Sequence, residues 1–138
     1  MLNLYYKIWV DGIIQLRSNP KNKGIWIFYA VVFTAMANAF NLVLFTTILD
    51  RYILKRDFYD VKITFFHKSW LNGFASFFIL YLLAPLIVNY FLIFRNRRYE
   101  KLIPRYKTYN GKLYLTYVLG SLFLPFIALV VAYLLGVD

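Results

Sequence analysis

Three apolar stretches without a charged residue dominate the sequence and restrict what the chain can fold into. They cover residues 24–49, 71–94 and 113–137. About 20 apolar residues in a helix cross the hydrocarbon layer of a membrane, so each stretch is long enough to span it with residues to spare for tilt. The stretches lack the alternation of a strand, and three strands cannot close a barrel. The pattern therefore predicts three transmembrane helices.

The overall composition favours the same interpretation. Apolar residues make up 62% of the chain and aromatic residues 22%. A soluble domain must present a largely polar surface to water, so this excess indicates lipid as part of the solvent. The chain contains no cysteine, which excludes disulfides, thiolate metal sites and thiol catalysis. We expect an all-α integral membrane protein that forms a single membrane domain over residues 1–138.

The region around the first apolar stretch also resembles a signal peptide. Lys21 and Lys23 precede the stretch, and residues 35–37, Ala-Met-Ala, match a small-residue cleavage site. However, the apolar run continues past that site to Leu49. We therefore predict a retained membrane helix over residues 24–49.

The first 18 residues have the pattern of an amphipathic helix. Apolar and aromatic residues recur at helical spacing at Leu2, Tyr5, Tyr6, Trp9, Ile13 and Leu16. Polar residues fall largely on another face, at Asn3, Lys7, Asp11, Gln15 and Arg17. Trp and Tyr beside basic residues are typical of a helix in the headgroup layer, so we predict an interfacial helix over residues 1–18. Packing of the same apolar face on a partner subunit is the alternative.

The distribution of Lys and Arg predicts the orientation in the membrane. Eleven of the sixteen basic residues lie before the first apolar stretch or in residues 95–112, which three crossings place on one side. Five lie in residues 50–70, the predicted outer loop, which should follow the membrane surface. The positive-inside rule then places the N-terminus in the cytoplasm and the C-terminus outside. Together with a composition typical of AT-rich bacterial genomes, this predicts a bacterial inner membrane location.

The loop of residues 95–112 is a candidate docking surface. It has seven basic residues against one acidic residue, Glu100. Six of them are the predicted contacts to lipid headgroups or a partner: Arg95, Arg97, Arg98, Lys101, Arg105 and Lys107. Each basic side chain near an anionic leaflet contributes up to about 1 kcal/mol of binding, which favours anionic lipids as partners. The alternative is that this charge only determines topology, and no nucleic acid partner is expected.

Four polar residues within the apolar stretches are the candidate contacts inside the membrane. Thr34, Asn38 and Asn41 share one face of the first helix, and Asn89 lies in the second. An amide in hydrocarbon is costly unless its hydrogen bonds are satisfied, so these residues should face other helices of the chain or a partner. A polar path for a solute or ion is the alternative.

The sequence offers little that could carry catalysis. His67 is the single histidine, with Asp57 and Asp60 upstream, and a zinc site normally needs three or four ligands at defined spacing. No serine lies in a nucleophile motif, and the glycines are too scattered for a phosphate-binding loop. We expect neither a metal nor a cofactor. A lipid-acting enzyme using these three residues at the interface is a minor alternative.

These observations favour a small, non-catalytic accessory subunit of a larger inner-membrane complex for secretion, transport or energy conversion. Other integral membrane subunits would then be its partners. The alternative is a self-assembling transporter or channel, with Asn38, Asn41 and Asn89 along a polar path. The pattern is also compatible with a homo-oligomer.

Overall fold

The computed structural model describes residues 2–56 and 62–136, and the regular structure in these ranges is helical throughout. The five main helices are α1 (Leu2–Ser18), α2 (Trp26–Leu54), α3 (residues 69–94), α4 (Arg98–Leu102) and α5 (Lys112–Leu134). Short 3-10 turns lie at Pro20–Asn22, Arg95–Arg97 and Ile103–Arg105. By length and composition, α2, the run that contains α3, and α5 can each cross a membrane.

Helices α2 and α5 run parallel, and polar side chains join them along their length. Thr34, Asn38 and Asn41 of α2 bond to residues 114, 117 and 121 of α5, in that order. This register places the start of α5 level with about the sixth residue after the start of α2. At 1.5 Å per residue, α5 begins about 9 Å further along the bundle than α2. The first turns of α2 therefore extend past the N-terminus of α5, which leaves that end of α5 open to another part of the chain.

Helix α3 runs antiparallel to α2 and is not a regular α-helix. The rings of Phe40 and Phe77 lie 6.5 Å apart, and late α3 residues lie beside early α2 residues. Wide π-helical turns occupy Phe78–Leu82 and Tyr90–Phe94. The first of these lies just before Pro85, which has no N–H for a regular bond to the carbonyl four residues earlier.

Helix α1 packs on α2, α4 and α5, and its residues Ile8 and Gly12 lie beside the first turns of α5. The six consecutive residues 8–13 are all buried. Trp9, in their centre, packs edge-on against Phe94, with the ring centroids 5.4 Å apart. Burial of six consecutive residues is wider than one apolar face of an amphipathic helix can give. The assignment of Asp11 to the polar face is wrong, because its side chain is completely buried.

One end of the bundle is formed by α1 and by residues 95–112, which include α4. We call it the basic end. The N-terminal segment and this loop meet there, as three crossings require: Arg17 and Glu100 form an ion pair at 3.2 Å, and the rings of Tyr6 and Tyr106 lie 6.2 Å apart. The C-terminal half of α5 (residues 123–134) lies at the other end, where no residue of that half is buried.

Candidate functional sites at the basic end

The buried carboxylate of Asp11 caps the N-terminus of α5. Its Oδ1 accepts hydrogen bonds from the backbone N–H groups of Tyr109 and Gly111, at 2.5 and 3.1 Å. Its Oδ2 accepts from the N–H groups of Leu113 and Tyr114, at 3.0 and 3.2 Å. The first N–H groups of a helix have no partner within the helix, and the helix dipole favours a negative charge there. Asp11 therefore supplies from α1 the cap that α5 lacks locally.

The loop before α5 is shaped to receive this carboxylate. Gly111, at the N-cap position, has no side chain that could cap the helix. Asn110 and Gly111 both adopt left-handed conformations, with φ of 56° and 76°. Consecutive N–H groups in such a turn converge on one point and form a concavity that binds anions. The Thr108 hydroxyl adds a further hydrogen bond to Asp11 Oδ1 at 3.0 Å.

These hydrogen bonds determine the protonation state of Asp11. Burial by itself would raise the pKa of this carboxyl, because it disfavours the charged form. The hydrogen bonds from Tyr109, Gly111, Tyr114 and Thr108 outweigh burial, and the pKa lies below its ordinary value of 3.8. Asp11 is therefore an anion at neutral pH.

Close packing between α1 and α5 supports the same contact. Gly12 faces the ring of Tyr114, and a Cβ at Gly12 would lie 2.4 Å from Cδ2 of that ring. The Tyr114 hydroxyl accepts a hydrogen bond from Thr34 Oγ1 at 3.3 Å and donates to the Ala30 carbonyl at 3.5 Å. Residue 12 must therefore be a glycine for Asp11 to approach the start of α5.

A cluster of polar side chains joins four helices in the interior; we call Tyr5, Asn38, Asn89 and Tyr117 the polar cluster. The Tyr5 hydroxyl donates to Asn89 Oδ1 at 2.5 Å and accepts from Asn38 Nδ2 at 2.8 Å. The Tyr117 hydroxyl donates to Asn38 Oδ1. The side-chain oxygens of Asn38 and Asn89 therefore both accept hydrogen bonds within the chain.

The other two candidate residues in the apolar helices also bond within the chain. Asn41 Nδ2 donates to Ser121 Oγ at 2.9 Å, and Thr34 bonds to Tyr114 as described above. Two buried donors, Asn89 Nδ2 and Trp9 Nε1, have no hydrogen-bond partner among the described residues. The structure therefore brings Asn38 and Asn89 together through Tyr5, and it places Thr34 and Asn41 in separate pairs.

The six predicted docking residues lie exposed at the basic end; we call them the basic surface. They are Arg95, Arg97, Arg98, Lys101, Arg105 and Lys107. Their side chains have different surroundings. The Arg95 guanidinium lies 5.2 Å from the Phe91 ring, and that of Arg98 lies 6.0 Å from the Tyr6 ring.

The residues considered for catalysis are not assembled into a site that the structure describes. His67 is exposed in the segment before α3. Asp57 and Asp60 lie outside the described residues. Within residues 2–56 and 62–136, no three His, Cys, Asp or Glu side chains form a group that could hold a metal.

The sequence pattern does not identify the residues whose hydrogen bonds join positions far apart in the sequence. The amphipathic pattern places Asp11 with the polar residues on another face of α1, and it does not link Tyr5 or Tyr117 to the amides. One signal for Asp11 is present: it is the single acidic residue of α1 and lies between Val10 and Gly12 in an otherwise apolar segment.

Comparison with protein-family models, with curated proteins and with solved structures gave no match for this chain.

Proposed function

We propose that this protein is a small, non-catalytic accessory subunit of a larger bacterial inner-membrane complex. In this proposal α2, α3 and α5 cross the membrane, with the N-terminus in the cytoplasm and the C-terminus outside. The basic end then docks anionic lipid or a partner, and the exposed sides of the helices contact lipid and other subunits. The observation that carries the proposal is the contrast between interior amides that bond within the chain and a C-terminal half of α5 in which no residue is buried.

The polar interior supports a structural role for the amides rather than a polar path. Asn38, Asn41 and Asn89 make hydrogen bonds to side chains of the same chain. A path for a solute along these residues would break those bonds, which a low-dielectric interior makes costly. We therefore favour the subunit over the self-assembling channel.

The C-terminal half of α5 supports a binding role for the outside of the bundle. Leu129 and Tyr133 are 67% and 83% exposed, and Pro125 bends or weakens the helix just before them. In a membrane, packing of such a face on another helix depends on shape, since lipid tails are as apolar as leucine. A long, largely exposed face is a suitable surface for a helix of a partner subunit.

The position of α1 supports an interfacial location for the basic end. Helix α1 begins in the interior, where Tyr5 bonds to Asn38, and ends at the basic end, where Arg17 pairs with Glu100. In the proposed orientation this second end is at the level of the headgroups, where Trp, Tyr and basic residues are favoured. The centre of α1 would then be covered by this chain rather than by a partner.

A pull-down of the tagged protein from native membranes in mild detergent tests the proposal. We expect stoichiometric partners, sized by native electrophoresis and identified by mass spectrometry. The double variant Leu129→Ala/Tyr133→Ala should lower partner recovery. Its matched control, Phe74→Ala/Ile87→Ala, removes similarly exposed side chains from α3 and should leave recovery unchanged.

The result that contradicts the proposal is a single species of 16.5 kDa, or a ring of identical chains, under conditions that preserve other membrane complexes. In that case, flux measurements on the pure protein in liposomes would test the channel alternative directly.

A further inference from the structure

A cleft between α2 and α3 opens at the basic end. Its walls are Ile27 and Val31 from the first turns of α2, and Leu86, Tyr90 and Phe94 from the last turns of α3. Its volume is about 570 Å³, within the range of roughly 300–1,000 Å³ that is usual for small-molecule sites. Ile27 and Tyr90 are exposed, so the cleft opens to the side of the bundle. In the proposed membrane this side faces lipid.

The polar end of the cleft is formed by Arg97 and Tyr99. Tyr99 is held in place by aromatic contacts, with its ring 5.5 Å from Trp26 and 5.9 Å from Phe94. Asn96 and Arg97 adopt left-handed backbone conformations, with φ of 55° and 51°, in the turn between α3 and α4. This turn brings one cation to the end of an otherwise apolar cleft.

Arg97 differs from the arginines on either side of it. Arg95 and Arg98 each lie over an aromatic ring, those of Phe91 and Tyr6. Among residues 2–56 and 62–136, the Arg97 side chain has no carboxylate, hydrogen-bond or ring partner. Its guanidinium, which matches the geometry of a phosphate group, is therefore available for a ligand.

We propose that this cleft binds one anionic glycerophospholipid, with its phosphate on Arg97 and an acyl chain along the apolar walls. An apolar cleft that ends in a single unpartnered cation is complementary to a lipid, whose apolar acyl chain leads to an anionic phosphate. The neighbouring cations Arg95, Arg98 and Lys101 repel a positively charged headgroup, so a lipid with net negative charge is favoured over phosphatidylcholine. The inference rests on the membrane location in the proposed function, and it requires no partner subunit.

Lipid titration of the purified, delipidated protein tests this site, with bound lipid counted by native mass spectrometry. The probes are phosphatidylglycerol and phosphatidylcholine of the same chain length. Wild type should bind one phosphatidylglycerol more tightly than any phosphatidylcholine. Arg97→Gln should weaken that binding about fivefold to tenfold. The control Lys21→Gln removes one positive charge from the exposed turn before α2, outside both the cleft and the basic surface, and should change binding by less than about twofold.

A second variant tests the acyl part of the site without changing charge. Val31→Trp places a large side chain in the cleft and should also weaken the binding of phosphatidylglycerol. Circular dichroism and thermal unfolding of each variant establish that the bundle is folded.

Two results would overturn the proposal: equal effects of Arg97→Gln and Lys21→Gln, which indicate diffuse charge, or unchanged binding by folded Val31→Trp. Because the titration uses the isolated protein, its failure leaves the subunit proposal standing. Conversely, a failed pull-down does not affect the lipid site.

Discussion

The basic end and the C-terminal half of α5 are built in opposite ways. At the basic end, α1 is buried over six consecutive residues and its Asp11 binds the start of α5. In residues 123–134 of the same helix α5, no side chain is buried. One helix therefore has a start held by the chain itself and a second half that the chain covers only in part, at Pro125, Ala128 and Ala132. We infer that the stability of the isolated protein comes mainly from the basic end.

Polar and apolar residues also have different roles in these two regions. Polar groups at the basic end and in the interior are used to join helices of the same chain. Most apolar residues in the C-terminal half of α5 are exposed and are left for the surroundings. Variants at the two regions should consequently affect stability and partner binding separately.

The largest effect on stability is expected from Asp11→Ala. This change removes the acceptor for four backbone N–H groups at the start of α5. Buried donors without a partner are costly, so we expect the free energy of unfolding to fall by about 3 kcal/mol or more. Titration with SDS in mixed micelles measures it. A loss below about 1 kcal/mol, as at an exposed cap, would refute the role given to Asp11.

The same carboxylate predicts the response to acid. Because the pKa of folded Asp11 lies below its ordinary value of 3.8, its stabilising effect is complete above that value and is lost as the pH falls through the folded pKa. Unfolding measured from about pH 7 down to about pH 3 should show this loss in wild type. Asp11→Asn should lack that part of the pH dependence, and an identical profile for both proteins would contradict the prediction.

Alanine substitutions at Gly12 and Gly120 should have opposite effects on the free energy of unfolding. Gly12→Ala places its Cβ 2.4 Å from the Tyr114 ring, and we expect a loss of about 1–3 kcal/mol in the free energy of unfolding. At Gly120, in α5, nothing lies within 4 Å of the added Cβ. Gly120→Ala should stabilise the protein by about 0.5–1 kcal/mol, because alanine favours the helix. A neutral Gly12→Ala variant in the same unfolding assay would show that α1 does not pack closely on α5.

A smaller loss is expected in the polar cluster. Tyr5→Phe removes the hydroxyl that joins Asn38 to Asn89, and should lower the free energy of unfolding by about 1–2 kcal/mol. Ser121→Ala removes a single interhelical hydrogen bond from Asn41 and should cost about 0.6 kcal/mol. If the order of the two losses is reversed, Tyr5 does not have the bridging role described.

The smallest effect is expected for the exposed ion pair between Arg17 and Glu100. Both side chains are about half exposed, at 50% and 46%. Solvent screens such a pair, so Glu100→Gln should change the free energy of unfolding by less than about 1 kcal/mol. A larger loss would place part of the stability of the basic end in its surface charges rather than in its buried contacts.

The long helices could be predicted from the sequence because their signal is local. A charge-free stretch of more than 20 residues has few alternatives to a membrane-spanning helix, and the amphipathic spacing of residues 1–18 indicated a helix that the structure places at Leu2–Ser18. The π-helical turn Phe78–Leu82 precedes Pro85, whose missing N–H is also a local signal in the sequence.

The contacts of the sites could not be predicted because they join distant parts of the chain. Asp11 and Leu113 are 102 residues apart, and Tyr5 and Asn89 are 84 residues apart. An amphipathic pattern assigns each polar residue to a face, but it contains no information about a helix end that approaches that face. The left-handed turn at Asn96 and Arg97 also has no glycine to signal it.

The most direct test of the buried cap is amide hydrogen exchange at Leu113 and Tyr114 of the wild-type protein. First-turn amides of a helix normally have no partner within the helix and exchange readily when water reaches them. Because both N–H groups donate to Asp11, we predict protection comparable to that of amides in the middle of α2. Exchange of these two amides as fast as at an open helix end would contradict the account of the basic end.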